Sequence, residues 1–154
     1  MKRLADLIND VLPEIEEIFP WDLEEKLKKD DGLMLLDIRE PYEFEVMHIE
    51  NSLNVPRGVL ETACDWGFEE TVPEIACCRE REVVIICRSG NRSALAAHTM
   101  QLMGYKNVCS LKTGLTGWND YELPLVDKEE SKVTLEEGDY FFEPKVRPEQ
   151  MPPV

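Results

Sequence analysis

The sequence predicts an α/β fold built around a central, mainly parallel sheet flanked by helices, and two observations carry that prediction. Residues 33–38 and 82–86 are short, near-continuous apolar runs, the pattern of strands covered on both faces. Other stretches with helical spacing lie between the strand candidates, so strands and helices alternate along the chain as crossover connections require.

In chain order, apolar side chains first recur at Leu4, Leu7, Ile8, Val11, Leu12, Ile15 and Ile18, a helical period expected to be interrupted or kinked near Pro13. Pro20 resets the chain, a short helix is expected over 21–29, and Asp30-Asp31-Gly32 stops it. After the first apolar run, residues 52–55 form a shorter strand candidate ending at Pro56, and a helical stretch follows from Gly58. Residues 64–82 carry no clear period. The strand at 82–86 runs straight into Cys87-Arg88-Ser89-Gly90-Asn91-Arg92-Ser93 and a helix to Met103. Leu95, Thr99, Leu102 and Met103 are the expected inward face of that helix, and Gly104 its C-terminal cap. Residues 108–111 are a further strand, followed by Thr113-Gly114 and a short helix to Trp118. Past Leu125 the chain reads as an extended, acidic, proline-rich tail that carries Tyr140-Phe141-Phe142. The expected organisation is a helical amphipathic extension over 1–17, one domain over 18–125, and the tail over 126–154.

The balance of 17 basic against 32 acidic residues, a net charge of -15, argues against nucleic-acid binding through a basic surface. It favours a basic protein partner if a protein partner exists, and admits an anionic substrate only where positive charge is locally concentrated. No apolar stretch approaches the roughly 18 residues of a membrane span. The opening Met1-Lys2-Arg3 turns acidic by Asp6 and makes a poor export signal, so a cytoplasmic protein without membrane contact is expected. The cysteines Cys64, Cys77, Cys78, Cys87 and Cys109 show no metal-ligand spacing and read as reduced thiols.

One of them stands apart. A thiol between a buried strand and a helix faces the helix's unpaired N–H groups and its positive dipole end. Gly90 lets the backbone curl so that several N–H groups converge on one point, and Arg88 and Arg92 add two cations in an otherwise acidic chain. Such surroundings favour a thiolate, and the same cradle suits an oxyanion or the negative outer sulfur of a persulfide.

The segment Cys87-Arg88-Ser89-Gly90-Asn91-Arg92-Ser93 resembles the active-site loop of single-domain rhodaneses, and the resemblance extends over about residues 18–125. Leu35-Leu36-Asp37-Ile38-Arg39-Glu40-Pro41-Tyr42-Glu43-Phe44 is similar to that family's early strand motif, and His48-Ile49 with Asn54-Val55-Pro56 to the next. Gly104-Tyr105, Asn107-Val108, Leu111, Gly114, Trp118 and Leu123-Pro124 resemble its closing segment. The resemblance implies a thiosulfate sulfurtransferase in which Cys87 is the nucleophile and holds sulfur as a persulfide. The backbone of Arg88, Ser89, Gly90, Asn91, Arg92 and Ser93 would form the anion cradle, the two arginine side chains would orient the donor, and Asp37 and Arg39 would brace the loop as an ion pair. His48 is expected to be a hydrogen-bonded structural residue. The implied partners are a small sulfur donor and a thiol or cyanide acceptor, or a sulfur-acceptor protein, with no cofactor and no metal.

Three rival readings belong beside this one. A binding or regulatory module that has lost catalysis is disfavoured, because inactive domains of this kind generally lack the cysteine that this chain keeps at Cys87. A sulfur carrier in a protein relay would share the chemistry but turn over small molecules slowly. A phosphatase or arsenate reductase of the related cysteine-loop type would need an arginine six positions after the cysteine, where Ser93 stands. The chain departs from the family pattern at Met47, Asn51 and Thr113, each where glycine is usual.

Overall fold

The computed structural model describes residues 1–29 and 32–154, so the Asp30-Asp31 part of the expected helix stop lies outside the described residues. The central sheet has five strands: β1 (Glu16–Ile18), β2 (Met34–Asp37), β3 (Leu53–Asn54), β4 (Glu82–Ile86) and β5 (Asn107–Leu111). They lie in the order β1-β5-β4-β2-β3, and every pairing is parallel. The two apolar runs are β2 and β4, hydrogen-bonded to each other from Met34 beside Val83 to Asp37 beside Ile86.

Period-two alternation explains why these strands look continuously apolar. Met34 and Leu36 of β2, and Val83 and Ile85 of β4, join one buried cluster; Leu35 of β2, with Val84 and Ile86 of β4, joins a second on the opposite face. The first cluster is covered by α4 (Leu60–Ala63), α5 (Pro73–Ala76) and α6 (Asn91–Leu102). The second, which includes Trp118, is covered by α2 (Pro20–Lys29), α7 (Gly114–Asp120) and α8 (Leu135–Phe142). Trp118 is fully buried, and its indole N–H donates to the Pro124 carbonyl at 3.0 Å. A short α3 (Pro41–Val46) follows β2, and the segment expected to be helical from Gly58 is a turn of 3-10 helix at Arg57–Val59 leading into α4.

Three expectations are corrected. The N-terminal helix, α1 (Leu4–Val11), is interrupted before Pro13, but no helical second half follows it: a 3-10 turn at Leu12–Glu14 leads into β1, which pairs with β5. Proline removes a backbone donor there, and the chain gains ladder hydrogen bonds by turning extended. The buried face of α6 is Ser93, Ala94, Ala96, Ala97 and Met100; of the residues expected there Met103 packs against the first cluster, whereas Leu102 is 76% exposed. The segment after Leu125 is not extended throughout, because α8 forms within it. Its start is fixed by a capping box in which the Thr134 hydroxyl accepts from the Glu137 N–H and the Glu137 carboxylate accepts from the Thr134 N–H. Phe142 at the other end is buried in the second cluster.

α1 lies against α6, yet none of its residues is buried and Leu4 and Leu7 remain exposed. Asn51 and Thr113 both adopt left-handed backbone, with φ of 66° each, so these departures from glycine keep the turn conformation. No helix among the described residues is long and apolar enough to cross a membrane.

Candidate active site

Strand order determines where chemistry can sit. From β2 the chain moves outward to β3, and from β4 it moves the other way to β5, so the connections diverge at the carboxyl ends of β2 and β4. In open parallel sheets that divergence opens a crevice, the usual ligand position. Cys87 follows β4 directly and Asp37 ends β2, so both stand at this edge.

The loop after β4 is bent so that its carbonyls and N–H groups face opposite ways. The carbonyls of Cys87 and Arg88 accept from the N–H groups of Leu115 and Thr116 in α7, each at 2.9 Å. The N–H groups of Gly90 and Ser93 turn inward and donate to the Cys87 Sγ at 3.1 and 3.3 Å. Two glycines make this possible. Gly90 has φ +92° and caps α6, and a Cβ there would lie 3.1 Å from the Thr113 nitrogen. At Gly114 a Cβ would fall 2.5 Å from the Cys87 carbonyl oxygen and 2.6 Å from two Arg88 backbone atoms. Backbone cannot yield as a flexible side chain can, so Gly114→Ala should lower unfolding free energy by roughly 2–4 kcal/mol and also displace the loop. Urea denaturation with a parallel activity assay checks this; a variant with unchanged midpoint and activity contradicts it.

The sulfur has a third neighbour. The Cys87 thiol donates to the Ser93 hydroxyl at 3.2 Å, and that hydroxyl lies 2.7 Å from the Ser110 hydroxyl on β5. All three side chains are buried. Hydroxyls rotate freely, so the chain suits either charge state of the sulfur. With a thiol the donors run outward from sulfur through Ser93 to Ser110; with a thiolate they reverse, Ser110 to Ser93 to sulfur. Ser110 was not legible in the sequence, because a serine in a buried strand carries no local sign of which hydroxyl it meets.

The arginines of the loop are both engaged elsewhere. Arg92 makes a bidentate pair with the Glu43 carboxylate of α3, at 2.9 and 3.0 Å. Burial alone would push the Glu43 carboxyl up; its hydrogen bonds from Arg92 and the Glu40 N–H, with the charges of Arg92 and Arg39, outweigh this and hold it below the ordinary carboxylate range. Arg88 reaches the C-terminal end of α8 and donates to the carbonyls of Phe142 at 2.8 Å and Glu143 at 3.3 Å. Ser89 and Asn91 stand exposed at the loop's crest.

Asp37 and Arg39 form a wholly buried ion pair, with contacts of 2.8 to 3.2 Å, and Arg39 also donates to the carbonyls of Met47 and Glu43. Asn54 ties this pair to β3 by donating to the carbonyls of Asp37 and Arg39. His48 donates from Nδ1 to the Phe44 carbonyl, 2.7 Å away, and its ring stacks on the Phe44 ring. Among the other thiols, burial pushes Cys109 up to about 11 and also raises Cys64, while Cys78 is raised by its hydrogen bond to Cys77. Among the described residues no group of three or more acidic, histidine or cysteine side chains is arranged to hold a metal ion.

Comparison with known proteins matches this arrangement to one family. Residues 20–121 match the Rhodanese-like domain. A protein named sulfurtransferase from Allochromatium vinosum is 31% identical over 115 residues, covering 75% of this chain and 98% of that one. A Bacillus subtilis protein, YrkF, named provisionally as a sulfur carrier, is 34% identical over 104 residues; these are 68% of this chain but only 51% of that relative's length. Among solved structures, one from Rhodopseudomonas palustris, a protein of unknown function suggested to be a tyrosine phosphatase, superposes with a TM-score of 0.74 at 29% identity, covering 80% and 94% of the two chains. With the family matched over residues 20–121, most of the chain's length, the chain belongs to the rhodanese-like domain family.

Proposed function

We propose that this protein is a sulfurtransferase that carries a sulfane sulfur on Cys87, taking it from thiosulfate or a related persulfide donor and giving it to a thiol or cyanide. The observation that carries this reading is the convergence of the Gly90 and Ser93 N–H groups and the Ser93 hydroxyl on one buried sulfur. Such donors stabilise negative charge on sulfur more than they stabilise a neutral thiol. The sulfurtransferase name of the Allochromatium relative supports the same class of reaction.

In the first half-reaction the Cys87 thiolate attacks the outer sulfur of thiosulfate. The new bond joins Sγ to that sulfur, the bond to the sulfonate sulfur breaks, and the electron pair leaves on sulfite. The outer sulfur then carries the negative charge, and the N–H groups of residues 88–93 hold it. In this reading Arg88 and Arg92 contribute a fixed positive field from the positions in which Glu43 and the α8 carbonyls hold them, and Asp37 with Arg39 braces the edge beside the loop. In the second half-reaction the acceptor takes the outer sulfur and Cys87 leaves as thiolate.

The name of the Rhodopseudomonas neighbour raises phosphate-ester hydrolysis as a second reading. Against it, the sixth residue after the cysteine is Ser93, whose hydroxyl lies against the sulfur, and the guanidinium of Arg92 is paired with Glu43.

Incubation with thiosulfate, glutathione persulfide or mercaptopyruvate, followed by intact-protein mass measurement, should show gain of one sulfur atom with at least one donor. Steady-state rates with that donor should give parallel double-reciprocal lines as acceptor is varied. Absence of an adduct with every donor, or intersecting lines, would defeat the reading.

A further inference from the structure

Beside the Cys87 loop, and outside the region matched to the family, the C-terminal segment builds a cleft of about 580 Å³. That volume lies in the range of small-molecule sites. Arg88, Ser89 and Thr116 form one wall; Phe142, Pro144, Lys145 and Val146 form the other. The second wall is held in place by several independent contacts. Phe142 is buried in the core, the Asn119 amide donates to the Asp139 carboxylate at 2.8 Å, and Arg88 reaches the last carbonyls of α8.

The chemistry of the cleft differs from the rest of the molecule. In a chain of net charge -15, it has two cations, Arg88 and Lys145, and no carboxylate among its lining residues. A larger cleft elsewhere is lined by Glu14, Glu16, Glu80 and Glu82. Lys145 donates to the Tyr140 carbonyl at 2.6 Å and sits over the Tyr140 ring, which fixes its ammonium at the end of α8. Only one terminal nitrogen of Arg88 is used in its bonds to the α8 carbonyls. Val146 is 61% exposed and, with Phe142 and Pro144, offers an apolar flank beside the two charges.

We propose that this cleft receives the sulfur acceptor, and that the acceptor it suits is a small thiol carrying a carboxylate; the assignment rests on the sulfurtransferase reading above. The N–H cradle around Cys87 suits a compact donor, and it offers nothing to an acceptor's carbon chain. The cleft supplies that contact from one residue beyond Cys87, with apolar surface for the chain and cations for the carboxylate. The acceptor's thiolate attacks the outer sulfur of the Cys87 persulfide. A bond forms between the two sulfurs, the bond from the outer sulfur to Sγ breaks, and its electron pair returns to Cys87 as thiolate. The product is the acceptor's persulfide, and no external oxidant or reductant is needed.

Two measurements test this. With donor-loaded protein, Lys145→Glu should raise KM for mercaptopropionate roughly five- to tenfold relative to KM for mercaptoethanol, which lacks the carboxylate, while Lys145→Arg keeps the wild-type ratio. Titration of the full chain with methylthiopropionate, a thioether that cannot react, should shift the backbone amide signals of Ser89, Thr116 and Val146. An unchanged KM ratio in Lys145→Glu, or amide signals that stay in place, overturns the proposal even if sulfur transfer itself is demonstrated. Failure of every donor to load Cys87 is seen before any acceptor is added, and overturns the underlying sulfurtransferase reading.

Discussion

Cys87→Ser should leave a folded protein whose sulfur transfer has fallen by a factor of about 10³ or more. Serine nearly matches cysteine in size, and its oxygen can still accept from the Gly90 and Ser93 N–H groups, so the loop keeps its reason to fold. What disappears is the nucleophile, because an alkoxide is scarcely formed at neutral pH and oxygen cannot store a sulfane sulfur as sulfur can. A thermal melt and a turnover assay on the same sample separate the two effects. Single Cys→Ala changes at Cys77, Cys78 or Cys109 should keep most of the activity, since none of these sulfurs sits in such a cradle. Retained turnover in Cys87→Ser would place the chemistry elsewhere.

The second large effect is on stability. Arg39→Leu should cost about 3–5 kcal/mol, because it strands the Asp37 carboxylate, wholly buried, without its partner. The carbonyls of Met47 and Glu43 lose a donor in the same step. Pairing that change with Asp37→Leu should recover part of the loss, since a buried pair replaced by apolar groups no longer leaves a lone charge. Denaturant titration of both variants decides it. A loss under about 1 kcal/mol in the single variant would mean that water or rearrangement reaches Asp37.

The features legible in the sequence were those whose cause is local. β2 and β4 announce themselves because both faces are covered, and Cys87 stands out because strand, glycine, arginines and helix follow one another within a few residues. The misreadings share a different cause. Ile15 and Ile18 fit the helical period that begins at Leu4, yet Ile18 belongs to a three-residue edge strand that exists only because β5 lies beside it. Of the expected inward residues of α6 only Met103 packs on the core cluster; Ser93, three alanines and Met100 form the buried face, and small side chains let the helix pack close to the sheet. The spacing of Thr134 and Glu137 was a readable capping signal for α8, obscured by the surrounding prolines and acids. The partners of Arg88 and Arg92 lie 54 and 49 residues away, a distance no local pattern bridges.

Strand order also has a consequence for how this chain comes to be folded. β1 precedes the other described strands along the chain, but among the described residues it pairs only with β5, with Glu16 beside Cys109 and Ile18 beside Leu111. The earliest strand must therefore wait, unpaired, until the latest one has emerged and docked on β4. Contacts so distant along the chain close large loops and form late. Assembly of the sheet is thus expected to run outward from β4 with β2, the N-terminal strand joining as the last edge; protection of the Glu16–Ile18 amides arising no later than that of β4 in pulsed hydrogen exchange would contradict this.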